Sequence, residues 1–234
     1  MRSVALIGSR ALAGLFLLLS LAAIGCGGPM SIRSFTQQAP PQPRIAIVSV
    51  TVGDQQGALQ GWNAARTSDV MVSRAGQMVQ VAEQVLATRF TVVPAASFVA
   101  NPQYQSVPSY PADVGVPVIN GTVMPVFGST RGEVNGAVIG PAQAQALCAA
   151  TGADFVVVIH SEWGVITGRM VPTSKALATT TMSIFDSTGV HVARTRLQDR
   201  GERTLGAFGG VVVDDNSIDE WVRAYGTSLA RMMQ

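Results

Sequence analysis

Apolar positions along this chain follow two alternating periods, and the changes of period mark its elements. Arg44-IAIVSV carries an apolar run from Ile45 to Val50 and reads as a buried strand. A polar, glycine-containing link leads to Thr67 and Ser68, either of which can cap a helix. From Asp69 to about Thr88, Met71, Ala75, Met78, Ala82 and Val85 recur at spacings of three and four, one face of an amphipathic helix. Phe90-TVVP is a second, short strand closed by Pro94. Between 99 and 140 five prolines and six glycines break every period, which predicts an elaborated loop with a small hairpin.

Order returns at PAQAQALCAATG, which has Pro141 where a helix begins and Gly152 where one ends. Asp154-FVVVIHSEWGVI starts as a continuous apolar strand and shifts to alternation. Two alternating Thr- and Val-rich strands follow within KALATTTMSIFDSTGVHVARTRL, joined at Asp186-Ser-Thr-Gly189 as a compact hairpin with a bulge. A Gly-rich link, 201–216, leads to a last helix with a capping box at Ser217 and Glu220. Its apolar stripe is Ile218, Trp221, Val222, Tyr225, Leu229 and Met232. The expected fold is α/β (α+β): a mixed sheet of about five strands with helices packed on it, plus the irregular insertion.

The opening IAIVSV, the helix, FTVVP, ATGADFVVVIHSEW and the hairpin MSIFDSTGVHVAR resemble a periplasmic α/β domain shared by three kinds of envelope protein. These are the curli secretion-channel lipoprotein, the lipoprotein activators of penicillin-binding proteins, and the amino-terminal domain of the Tol-system propeller protein. The resemblance covers roughly 45–98 and 141–233, and 99–140 has no counterpart in it. It implies either a module that docks another envelope protein or a subunit of an oligomeric secretion complex.

The amino terminus says where such a domain works. Arg2 and Arg10 precede an uncharged run from Ala11 to Ile24, about 14 residues and short of the ~20 that span a bilayer as a helix. Ala23-Ile24-Gly25-Cys26 resembles the lipobox of bacterial lipoproteins, which implies cleavage after residue 25, a diacylglycerol on Cys26 and an acylated new terminus carrying a palmitate-type chain. Gly27, in place of the Asp that retains enterobacterial lipoproteins in the inner membrane, implies the periplasmic face of the outer membrane. Residues 26–43, rich in Pro, Gln and Gly, then read as lipid anchor and flexible tether, its 17 residues after the cysteine reaching about 55 Å at ~3.3 Å each. Residues 44–234 form a single domain.

Charge shifts with the leader. Removing residues 1–25 takes away Arg2 and Arg10, so 16 basic against 14 acidic residues become 14 against 14. A neutral chain carries no nucleic-acid footprint. Cys148, left without a partner, reads as a small buried hydrophobe in an Ala-rich helix, so no disulfide framework holds the fold.

Candidate chemistry is sparse, charged residues being 13% of the chain. His160-Ser161-Glu162 is the tightest titratable cluster, but on a strand His160 and Glu162 share one face and Ser161 takes the other. A Ser–His nucleophile pair therefore does not converge locally. His191 is a lone histidine on the hairpin, and Asp214-Asp215 reads as a solvated turn. GSTRGEVNG and GAFGG lack the lysine and hydroxyl of a phosphate loop. The expectation is no enzyme, no metal and no cofactor, but an anchored binding or assembly module. The alternatives are an oligomeric subunit, which could be a homo-oligomer, and an envelope hydrolase. By elimination the recognition surface falls on the 99–140 loop, with Tyr104, Tyr110, Val118, Ile119, Met124 and Phe127 as anchors. The competing arrangement has those side chains folding back onto the sheet.

Overall fold

Long stretches of β-branched residues mark the second half of the chain, and there the strands are longest. The computed structural model describes residues 28–54, 64–111, 114–168, 170–207, 211 and 215–234. In chain order the elements are α1 (Ile32–Gln38), β1 (Arg44–Asp54), α2 (Ala64–Leu86), β2 (Thr91–Val93), α3 (Ala95–Phe98) and α4 (Pro102–Gln105). Then come β3 (Val118–Ile119), β4 (Thr122–Val123), α5 (Arg131–Asn135), α6 (Pro141–Thr151), β5 (Phe155–Thr167), β6 (Thr173–Asp186), β7 (His191–Ala207) and α7 (Asp215–Met232). The main sheet has five strands, as the sequence predicts, and their order is β2-β1-β5-β6-β7. β1 is parallel to β2 and β5, while β5, β6 and β7 form an antiparallel meander.

One face of this sheet is the helix face. Trp221 of α7 stacks on Trp163 of β5 with ring centroids 6.3 Å apart, and its Nε1–H donates to the Gly164 carbonyl at 2.8 Å. The whole predicted α7 stripe is buried. Ala75, Met78 and Ala82 of the α2 stripe are buried too, while the side chain of Met71 lies outside the described ones. α2 begins at Ala64, so Thr67 and Ser68 sit inside it and do not cap it.

Three further expectations change. Residues 28–43, read as a tether, dock on the sheet. Met30 pairs with Ala193, Ser31 caps α1 through the Ser34 N–H, and the Ile32 N–H donates to Thr195 Oγ1 at 2.9 Å. Ile32 and Phe35, at i and i+3, are buried, and Phe35 packs edge-on against Phe155. Polar and proline residues around this single amphipathic turn hide it in the sequence. The supposed link after residue 200 continues as strand to Ala207. The Ser217–Glu220 capping box does not form, because α7 starts at Asp215; Glu220 instead accepts the Arg203 N–H at 2.8 Å. Gly201 admits this carboxylate, since a Cβ there would lie 2.9 Å from Glu220 Oε2.

The opposite face is covered near β1 by α6 and the 99–140 segment. A β-bulge at Val48 interrupts the β1–β5 ladder, and the Val48 carbonyl accepts the buried Tyr104 hydroxyl at 2.6 Å. Phe98, Tyr104 and Phe127 follow as edge-to-face neighbours. Gly115 pairs with Val52 along the free side of β1, and the predicted small hairpin is β3–β4. Cys148 is buried, and burial together with Asp186 and Asp154 pushes its thiol up to about 11, so it is a poor nucleophile.

Candidate functional site

Strand register alone assembles a polar patch on the face opposite α7. One rung across four strands carries Thr51, His160, Thr181 and Arg196, and the rung beyond carries Gly53, Glu162, Thr179 and Gln198. Residues opposite one another in register present side chains to the same face, so these eight positions adjoin. His160 Nδ1 lies 2.8 Å from Thr51 Oγ1, and Gln198 Nε2 donates to Thr179 Oγ1 at 3.0 Å. Arg196 Nη2 donates to Glu162 Oε2 at 2.8 Å. Gly53 leaves room for the imidazole, because a Cβ there would lie 3.3 Å from His160 Cε1.

β7 completes the site. Its alternation sends Thr195, Leu197 and Asp199 toward the helices, where Asp199 pairs with Arg231 of α7. Arg194, Arg196, Gln198 and Arg200 point the other way and are exposed. Arg196 is 60% exposed, and among the described residues Arg194 and Arg200 have no ion-pair partner. The period-two run Arg194-x-Arg196-x-Gln198-x-Arg200 is legible in the sequence, but the strand expected there ends at Leu197, before the row is complete.

Electrostatics make His160 a neutral, structural group. Burial, and then the Arg196 guanidinium, lower it to about 4. A histidine depressed this way contributes stability that is full above the unfolded value near 6.5 and is lost as pH falls toward 4. Wild type should therefore lose ~2–3 kcal/mol more than His160→Gln between pH 7.5 and 4.5. Denaturant melts of both proteins at the two pH values measure this, and parallel losses would contradict it.

The arrangement does not pair Ser161 with His160 as nucleophile and base. Ser161 points to the helix face, 3.2 Å from Thr180 Oγ1, away from His160. His191 stacks on Phe185 with centroids 4.4 Å apart, two strands from His160 and four residues further along β6. Among the described residues no three His, Cys, Asp or Glu side chains gather as metal ligands. No described helix is long and apolar enough to cross a membrane.

The anchors proposed from sequence for the 99–140 loop divide. Tyr104, Met124 and Phe127 are buried, because the bulge at Val48 and the apolar face of β1 recruit them into the core. They are unavailable to a partner. Tyr110 is half-buried, its N–H donating to the Val126 carbonyl at 2.7 Å. Ile119 is half-buried against the core and Val118 is exposed at 49%, both beside a shallow cleft with Gly76, Glu83 and Ala95. Cys26 and Asp214 lie outside the described residues.

No family model and no curated protein matches this chain. Among solved structures it is similar to the lipoprotein GNA1162 from Neisseria meningitidis, at 13% identity and a TM-score of 0.37, covering 82% of this chain and 99% of that one. It is also similar to the hypothetical protein CT253 from Chlamydia trachomatis, at 15% identity and a TM-score of 0.32, covering 82% and 91%. Likenesses of this size assign neither family nor function.

Proposed function

We propose that this chain is an envelope lipoprotein, anchored through Cys26 at the periplasmic face of the outer membrane, that docks another envelope protein without catalysis. The observation that carries the docking role is the exposed row Arg194, Arg196, Gln198 and Arg200 beside a fixed polar face. Arg194 and Arg200 have no intramolecular carboxylate among the described residues, which leaves two guanidiniums for a carboxylate-bearing partner. The nearest hydroxyl to His160 that the sequence offered, on Ser161, belongs to the other face, which argues against a hydrolase.

The docked α1 alters the reach of such an anchor. Four residue steps separate Cys26 from Met30 and can span at most about 13 Å at ~3.3 Å each, against the ~55 Å of a free tether. The domain would work close to its own membrane, unlike synthase activators that reach inward on a long tether. Feeding cells an alkyne fatty acid should tag wild type and leave Cys26→Ser unlabelled and released from the membrane fraction. Equal tagging of both would reject the anchor. Retained membrane association of an unlabelled Cys26→Ser would assign it to another contact.

A further inference from the structure

Beyond Arg194, the residues of the cationic row also carry backbone groups with no strand beside them among the described residues. β7 is the last strand of the sheet among the described residues, so one side of it has no neighbouring strand. Met30 reveals which groups face outward: its N–H donates to the Val192 carbonyl at 3.1 Å, and its carbonyl accepts the Arg194 N–H at 2.8 Å. Backbone direction alternates along a strand, so the amides of Arg196, Gln198 and Arg200 point to the same side. Met30 therefore already makes a one-residue strand addition to this edge. The chain then turns away at Ser31, because Ile32 is drawn over Thr195 onto the helix face.

From Ala193 to Arg200 β7 pairs with β6 without a register shift, and beyond Arg200 the register breaks. The uninterrupted run thus coincides with the arginine row. Natural edge strands are blunted by bulges and charges. Here the bulged part lies outside the run, and the charges on its solvent-facing row, Arg194, Arg196 and Arg200, are all of one sign, while Asp199 faces the helices and pairs with Arg231.

We propose that the outer edge of β7 between Arg194 and Arg200 is a strand-addition site for an extended acidic segment of a partner protein. The inference rests on the docking role proposed above and names its mode. Main-chain hydrogen bonds to Arg196, Gln198 and Arg200 supply the pairing, and carboxylates at alternate positions of the incoming strand lie alongside the guanidiniums. A second copy of this chain fits the edge poorly, because β7 against β7 sets two arginine rows side by side.

The test uses the full chain in mild detergent and short end-blocked peptides of alternating threonine and glutamate. Controls are the lysine counterpart and a glutamate peptide N-methylated along one edge. Fluorescence anisotropy should give binding at least about tenfold tighter for the glutamate peptide than for either control, weakening as salt is added. Amide exchange at Arg196, Gln198 and Arg200 should slow on binding. Gln198→Pro removes an outward N–H and leaves the β6 ladder intact, so it should lose binding while melting close to wild type. Should that variant misfold, the N-methylated peptide carries the same test.

Equal binding of the N-methylated peptide would overturn strand addition while leaving the arginine face as a docking surface. Equal binding of the lysine peptide, or no binding of the glutamate peptide, would overturn the inference. So would a concentration-dependent doubling of mass through β7, or competition for the row by phosphatidylglycerol vesicles, each of which assigns the edge to a different occupant.

Discussion

Replacing residues 101–138 with a short Gly-Ser bridge should abolish cooperative folding. Tyr104, Val107, Met124, Phe127, Val134 and Ala137 all lie within that stretch and are buried. Tyr104 also satisfies the Val48 carbonyl at the β1 bulge. Removing a buried aromatic side chain costs ~3–5 kcal/mol. Losing Tyr104 and Phe127 together matches most of a typical stability of about 5–15 kcal/mol. By contrast, Val118→Ser with Val123→Ser, at positions 49% and 53% exposed, should change stability by less than ~1 kcal/mol. Urea melts followed by circular dichroism separate the two cases. A bridged protein melting near wild type would mean the segment is an accessory to the core.

Trp221→Ala should cost ~3–5 kcal/mol. Trp221 is buried between α7 and the sheet, stacked on Trp163, and its indole N–H holds the Gly164 carbonyl. Truncation opens a cavity and leaves that carbonyl without its donor, two costs that add. Trp221→Phe keeps a ring and loses only the donor, so it should cost less, roughly 1–3 kcal/mol. Denaturant midpoints at constant slope measure both. Equal losses in the two variants would show that the hydrogen bond, not the packing, dominates.

Sequence periodicity carried most of the scaffold because packing wrote it there. Apolar stripes marked α2 and α7, continuous apolar runs marked β1 and β5, and Gly189, at φ +87°, marked the β6–β7 turn. Periodicity failed where one or two side chains do the packing. Ile32 and Phe35 make a single helical turn among prolines and glutamines, too short for a period to show. Tyr104 and Phe127 are separated by breaker residues, and their burial depends on a bulge in β1 that nothing in IAIVSV marks.

The candidate site was half legible. His160 and Glu162 on one strand face, with Ser161 opposite, followed from a period of two. Their neighbours did not, because which strand lies beside β5, and in what register, is decided by the whole sheet. The arginine alternation stood in the sequence, but its meaning required knowing that β7 is an edge.

The central claim is that partners meet this protein on the β7 row. In-cell photocrosslinking tests it most directly, with a photoreactive residue placed at Arg196 or Gln198, at Val118 in the β3–β4 hairpin, or at exposed Gln145 of α6. Crosslinks to another envelope protein from Arg196 and Gln198, with none from Gln145 or Val118, are the predicted result. Crosslinks confined to Val118, with Arg196 and Gln198 silent, would contradict it and return recognition to the hairpin.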